Sequence, residues 1–425
     1  MKVIVIGGGW SGCSAAITAK KAGATVALYE KTDLLLGLGN VGGIMRNNGR
    51  YTAAEEMIAL GAGDLIHLTD ENTRHKNIDF PGHKHAWLYD VNKIEPAVGK
   101  YLKAMDIEVN LITRVVDVEK EGNKIKGIYL SDGKYVEADV FIETTGSTGP
   151  MGNCLKYGNG CSMCILRCPA FGPRVSISYR AGIEDLKGER QEDVYGAFSG
   201  SCKLAKDSLA EDVIKQLDET GVVVLKVPEE DINLDKLKQK VCQQYALKEF
   251  AENIVLLDTG HAKLMTSYYP LEKLRKIKGL ENAKYIDPYA GGKGNSIRYL
   301  SVAPRTNSMK VVGLDNLFCA GEKAGLFVGH TEAIITGALA GHNAIRNYIG
   351  MPLLMLPRSL AVGDIIAYAN EKISTKEGRT NRYTFSGAEY FKRMQEMKLY
   401  ILDKDIIRGK VEKLNLTDIF NEKLI

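Results

Sequence analysis

The chain has no apolar run of the roughly 20 residues a bilayer-spanning helix needs, so no membrane partner is expected. It has little net charge: 56 basic residues face 52 acidic ones, leaving +4, which permits a nucleic-acid partner without indicating one. Internal repeats and low-complexity tracts are absent, which excludes solenoid and tail-like architectures. Met1 leads straight into an apolar strand and leaves no room for a signal peptide, so the expected location is cytoplasmic. In that compartment the eight cysteines are read as thiols, metal ligands or redox groups rather than disulfides.

What is present starts at the N-terminus. Val3 to Ile6 form an apolar run suited to a buried parallel strand, and a glycine-spaced turn follows at Gly7, Gly9 and Gly12. A helix with small residues at Cys13, Ala15 and Ala16, then Gly23 and a second strand, Val26 to Tyr29, complete a crossover ending at Glu30. Gly7 allows the tight turn, Gly9 lets backbone approach a pyrophosphate, and Gly12 lets helix and strand pack closely. The helix N-terminus adds free N–H groups and a partial positive charge. An acid at Glu30 suits ribose hydroxyls and argues against a 2′-phosphate, which predicts FAD or NAD. The competing reading is a tight strand-to-helix turn with no ligand.

The predicted organisation is α/β: a glutathione-reductase-like, Rossmann-type FAD domain over residues 1–150 and 289–360, an inserted α+β substrate domain over 151–288, and a helical tail over 361–425. Strand signals at Val115 to Glu119, Lys124 to Leu130 and Tyr135 to Ala138 predict an antiparallel meander. Val91 to Ala104, Leu234 to Phe250 and Thr331 to Tyr348 have helical patterns.

Three separated segments favour FAD over NAD, because a nicotinamide dehydrogenase needs only the first. The second is Thr144, Thr145 and Gly146; the third is Ala320, Gly321 and Glu322, followed by the helix start Gly329, His330, Thr331 and Glu332. A helix N-terminus beside the flavin pyrimidine would raise its electron affinity. Predicted cofactor contacts are Gly7, Gly9, Gly12, Glu30 and Lys31, then Gly42 and Gly43 in a glycine-rich loop, Val115, Thr145, Gly146, Gly321, Glu322, Gly329, His330 and Thr331. No second complete Gly-x-Gly-x-x-Gly follows, so NAD(P)H enters only as a candidate electron donor.

Later stretches carry a more specific signal: GLENA from Gly279, NLFCAG from Asn316, the helix with Gly329, Glu332, Gly337 and Gly341 to Ala344, and LPRSLAVGDIIAYA. Together with the N-terminal turn they resemble the GidA-related flavoproteins, above all the folate- and FAD-dependent tRNA (uracil-5-)-methyltransferases. The resemblance implies an FAD fold and a redox role. Those methyltransferases carry a catalytic cysteine in a loop after the second strand, whereas this chain has Gly39 to Asn48 there and no cysteine between Cys13 and Cys154.

Cys154, Cys161, Cys164 and Cys168 lie in NCLKYGNGCSMCILRCPAFG. The C-x-x-C-x-x-x-C-P portion resembles part of a ferredoxin ligand run, although Cys154 to Cys161 is too long an interval for the full pattern. The four thiols are candidate ligands for an iron–sulfur cluster, with zinc less favoured. Cys161 and Cys164 are also a candidate catalytic dithiol passing electrons to or from flavin, and buried inert cysteines are the third reading. Lys293, Arg298 and Arg305 are candidate anchors for a substrate phosphate or carboxylate. His67, His75, His83 and His85 are read as polar loop histidines rather than metal ligands.

The expected function is two-electron flavin chemistry by an oxidoreductase acting on a small molecule or a redox partner protein, with the cysteines as relay. The alternatives are an FAD- and folate-dependent RNA uridine-modifying enzyme and a non-catalytic electron-transfer subunit. Composition is compatible with a homo-oligomer.

Overall fold

The computed structural model describes residues 1–37, 42–146, 171–190, 194–195, 197–199, 202–240, 242–266, 269–286, 296–298 and 300–425, with backbone alone at 197–199, 239 and 296–298. The four cysteines of the 154–168 cluster and Lys293 lie outside the described residues, and Arg298 is described as backbone in a short strand.

A five-stranded parallel sheet organises the cofactor half, in the order Leu317–Cys319, Val140–Glu143, Lys2–Ile6, Thr25–Tyr29, Glu108–Asn110. Its central strands are covered on both faces, and Val3, Ile4 and Val5 are fully buried. This is why they read as a continuous apolar run rather than an alternating one. The expected meander forms as Val115–Glu121, Lys124–Leu130 and Tyr135–Glu137.

Two helices lie side by side against this sheet, Trp10–Lys21 and His330–Tyr348. They approach through small residues: a Cβ on Gly337 would stand 2.2 Å from Ser11 O, and one on Gly341 would stand 2.3 Å from Ala15 O. Ser14 and Thr18 hydroxyls donate across the gap to Ile334 O and Ala338 O at 2.7 and 3.0 Å. The increasing residue pairs, Ser11 with Gly337 and Ala15 with Gly341, make the helices parallel. Both N-termini therefore open at the C-terminal end of the sheet, where ligands of open α/β sheets bind.

A second sheet is antiparallel, Cys202–Leu204, Ala262–Leu264, Asn253–Asp258 and Val222–Lys226, with its own core around Leu217, Ile254 and Leu264. A third, Ile44–Met45, His83–Tyr89 and Thr73–Phe80, packs on it through Ile44, Phe80 and Leu88 against Phe250, Val255 and Leu257. His75, His83 and His85 thus belong to the strands of a hairpin rather than to a polar loop. The expected helix from Leu234 to Phe250 is instead broken into the short turns Leu234–Gln239, Gln243–Tyr245 and Glu249–Glu252. The Lys240 ammonium, drawn inward onto Tyr245 O and Met265 O, is the physical reason the chain leaves helical geometry there.

The C-terminal helices close over the helix Arg50–Ala59. Glu56, fully buried, accepts hydrogen bonds from Ala361 N and Val362 N at 3.0 Å each and caps the helix Ala361–Lys372. The last residues return to the first crossover, where Leu424 N donates to Ala22 O.

Candidate functional site

The glycine turn has the geometry the sequence predicts. Gly7 sits at φ +107°, and a Cβ there would stand 2.5 Å from Thr144 O; a Cβ on Gly12 would stand 1.9 Å from Gly7 O. Both positions exclude a side chain by contact with protein. Gly9, which caps the first helix, meets no heavy atom of the described residues within 4 Å of a built Cβ. Its freedom from contact leaves room for a ligand directly over the helix N-terminus, the place a pyrophosphate needs.

Glu30 is fixed beside this turn. One carboxylate oxygen accepts from Gly8 N at 2.7 Å, and the other accepts from Thr32 N and Thr32 Oγ1 at 2.8 Å each. Three acceptor positions are thereby filled, which leaves about one lone-pair direction of the carboxylate for a ribose hydroxyl. Val115 follows Thr113, whose amide donates to Glu30 O, so the start of the meander adjoins the same end of the site. Lys31 is engaged elsewhere, donating to Gly172 O at 2.8 Å.

The second segment reaches the turn through Thr144, whose hydroxyl donates to Ile6 O and Gly7 O at 2.9 and 2.7 Å. Thr145 is tied back to Glu143, and Gly146 adopts φ +81° with no heavy atom of the described residues closer than 3.6 Å to a built Cβ. The third segment joins from the neighbouring strand: Ala320 N donates to Glu143 O, and Gly321 at φ +67° packs on the Ser11 hydroxyl. Glu322 is half-buried, and next to it Lys323 is fully buried on Ser176 Oγ and Asp185 Oδ2 at 2.7 and 2.6 Å.

At the second helix start, Gly329 has φ +148°, and a Cβ there would lie 2.0 Å from Arg50 and 2.1 Å from Glu332. Glu332 is fully buried. Its Oε1 accepts from Thr384 Oγ1 and Phe385 N at 2.8 Å and pairs with Arg50 Nε at 3.4 Å. A first-turn carboxylate of the protein thus already faces the dipole that the sequence assigns to reduced flavin. Burial pulls the Arg50 pKa down, and Glu332, Tyr245 and Cys242 together raise it above its ordinary value.

His330 lies tilted against Trp10 with ring centroids 5.1 Å apart and meets Tyr89 edge-on at 6.1 Å, while a Cβ on Gly42 would overlap its ring. Gly43, at φ +78°, packs on Thr259, and Thr331 is buried against Met45. Trp10, Tyr89 and Arg50 escape sequence reasoning, since nothing in their local patterns marks them.

Arg305, expected as an anchor for a substrate anion, is buried rather than exposed. Its guanidinium gives three of its five N–H groups to the carbonyls of Ala324, Thr306 and Ile366 at 2.5, 3.0 and 2.9 Å, which ties it into the fold. Burial lowers its pKa to about 10. Among the described residues no group of three or more His, Cys, Asp or Glu is arranged to hold a metal. No helix among them is long and apolar enough to cross a membrane.

A cavity of about 600 Å³ opens between the hairpin turn and the helix Ala388–Glu396, with Asn48, Phe80, His83, Phe391, Gln395 and Tyr400 in its wall. Burial pushes the His83 pKa down to about 3, and the Gln244 carbonyl partly opposes this. Its Nδ1 lies 2.9 Å from Asn47 Nδ2, and Asn47 leads through Arg50 to Glu332.

The family model described as glucose inhibited division protein A matches residues 2–252 and 244–352. This chain belongs to the GidA family. Among curated members, a methylenetetrahydrofolate–tRNA-(uracil-5-)-methyltransferase of Dictyoglomus thermophilum is 33% identical over 105 residues, 24% of this chain and 23% of the relative. A tRNA uridine 5-carboxymethylaminomethyl modification enzyme of Prochlorococcus marinus subsp. pastoris is 25% identical over 91% of this chain and 67% of the relative. The match to the methyltransferase thus spans about a quarter of that protein's length. The structure of Aquifex aeolicus GidA superposes with a TM-score of 0.63 at 17% identity, over 97% of this chain and 76% of that one, which places the fold in the GidA family's Rossmann-type FAD class.

Proposed function

We propose that this chain is an FAD-binding enzyme of the GidA family that modifies a uridine of RNA, with FAD supplying two-electron redox chemistry when bound. The observation that carries the proposal is the open Gly9 position over the first helix N-terminus, framed by Gly7, Gly12 and the fixed Glu30, on a chain that matches the family model over most of its length. The residues present fit the cofactor. Gly9 and the first helix turn would hold the pyrophosphate, Glu30 the adenosine ribose, and Thr145, Gly146, Gly321 and Glu322 the central chain.

Uridine as substrate rests on the names of the relatives and on the cavity beside His83. Its aromatic walls, Phe80, Phe391 and Tyr400, and the amides of Asn48 and Gln395 suit a base-sized guest. The missing cysteine after the second strand separates this chain from a straightforward copy of the methyltransferase reaction. The relay role of Cys154, Cys161, Cys164 and Cys168 and an iron–sulfur cluster are additions that the function does not require.

The test is a comparison of nucleosides from tRNA of the source organism with and without this gene, followed by restoration in vitro with purified protein, FAD and a reductant. A modified uridine lost in the deletion and restored by the protein is the expected result. If the protein binds FAD but all uridine nucleosides are unchanged, RNA modification is wrong and a small-molecule or protein redox partner takes its place.

A further inference from the structure

Two buried polar groups in the cofactor half have no acceptor for their proton among the described residues. Trp10 is 4% exposed and Tyr89 is fully buried, and among the described residues neither the Trp10 indole N–H nor the Tyr89 O–H has an acceptor. An indole N–H can only donate. A phenol left without a partner in the interior costs free energy that its phenylalanine analogue does not. Two such groups in contact, with ring centroids 6.1 Å apart, call for an explanation.

Their location supplies one. Trp10 is the first residue of the first helix, immediately after the open Gly9. Tyr89 ends the strand His83–Tyr89, and its amide donates to Gly43 O at 3.0 Å. A Cβ on Gly42 would come within 2.8 Å of the Tyr89 hydroxyl, so this hydroxyl borders the Gly42 and Gly43 backbone. Both rings also contact His330 at the start of the second helix. Three segments assigned to the cofactor by the FAD reading therefore meet at these two donors.

We infer that Trp10 and Tyr89 are the donors that hold the isoalloxazine end of FAD, giving their N–H and O–H protons to acceptor atoms of the bound flavin. The inference rests on the FAD reading above. Oxidised flavin offers acceptors at N1, N5 and its two carbonyl oxygens, beside a single donor at N3–H, and these acceptors complement a pair of groups that each have a proton to donate. The unsatisfied donors of the free protein become satisfied on binding, so part of the affinity comes from relieving a penalty built into the fold.

This arrangement predicts opposite effects on stability and on affinity, which a purely structural role does not. Trp10→Phe and Tyr89→Phe keep an aromatic ring and delete the donor. In the flavin-free protein each is expected to leave the melting temperature unchanged or to raise it. In FAD titrations each is expected to weaken binding about 10-fold, and the double variant about 100-fold. A third readout is flavin emission: an indole in contact with the ring quenches it by electron transfer, so bound FAD should fluoresce more strongly in Trp10→Phe than in the parent.

If the parent protein binds FAD while both variants bind it equally well and melt lower, the two groups are satisfied by buried water, and this inference falls with the FAD reading intact. If the parent protein binds no FAD, both fall together.

Discussion

The helix Trp10–Lys21 begins at Gly9, where a built Cβ meets none of the described residues within 4 Å, whereas its parallel neighbour His330–Tyr348 begins at Gly329, where a Cβ would strike Arg50 and Glu332 at 2.0 and 2.1 Å. The first dipole is left for a ligand anion. The second is met by Glu332 in its own first turn, which is balanced in turn by Arg50. Two helix ends at the same edge of one sheet therefore differ in what they accept: a phosphate suits the first, and a neutral ring bordered by aromatic side chains suits the second.

The comparison breaks most visibly at the glycines. Gly12→Val should fail to fold, because its Cβ alone would lie 1.9 Å from Gly7 O. Gly9→Val should fold with an unchanged circular dichroism spectrum and lose FAD affinity by about 100-fold or more, since its side chain enters the space proposed for the pyrophosphate. Equal FAD affinity in Gly9→Val and parent would remove the phosphate from that helix end.

At the second helix end the expected loss is of stability. Arg50→Met leaves the Glu332 carboxylate buried without its cation and should cost about 3–5 kcal/mol in denaturant unfolding. Adding Glu332→Gln should recover part of it. A double variant no more stable than Arg50→Met alone would show that the pair is not coupled.

A smaller effect is expected from pH. His83 is almost fully buried, and its folded pKa of about 3 lies below the ordinary 6.5. The unfolded chain then binds a proton that the folded chain refuses. The stability from neutral His83 is complete above pH 6.5 and declines as pH falls towards 3, by about 1.4 kcal/mol per pH unit. His83→Gln should flatten this slope between pH 6 and 4; an unaltered slope would assign the acid sensitivity to other groups. The smallest change is Lys31→Met, expected to shift stability by under about 1 kcal/mol and FAD affinity by less than 3-fold, because Lys31 holds Gly172 O rather than the turn. A larger loss of FAD would return Lys31 to the cofactor.

The open helix end was legible in the sequence and the filled one was not, and the reason lies in how each is built. Gly7, Gly9, Gly12 and Glu30 fall within 24 residues, Gly7 and Gly12 set by close backbone packing and Gly9 and Glu30 by the expected ligand, so spacing alone reveals them. Arg50 and Glu332 are 282 residues apart, and their pairing depends on the sheet bringing the two chain ends together. The long helix to Tyr348 was visible through its apolar period, but the segment from Leu234 to Phe250 has a similar amphipathic pattern and folds into short turns. There a tertiary demand, the burial of Lys240 on two carbonyls, overrides the local preference. Arg305 shows the same limit: its neighbours in sequence suggest an exposed anion anchor, and only the fold reveals that it is buried and bonded to three carbonyls.

The central claim is that the first helix end and the two later turns hold one FAD. Its most direct test is titration of the purified, flavin-stripped parent protein with FAD, followed by protein and flavin fluorescence. The account predicts one saturable site per chain, with quenching of both tryptophan and flavin emission and competition by ADP, which fits the phosphate end alone. A chain that stays colourless and shows no saturable response to FAD at concentrations where it is fully folded would contradict it.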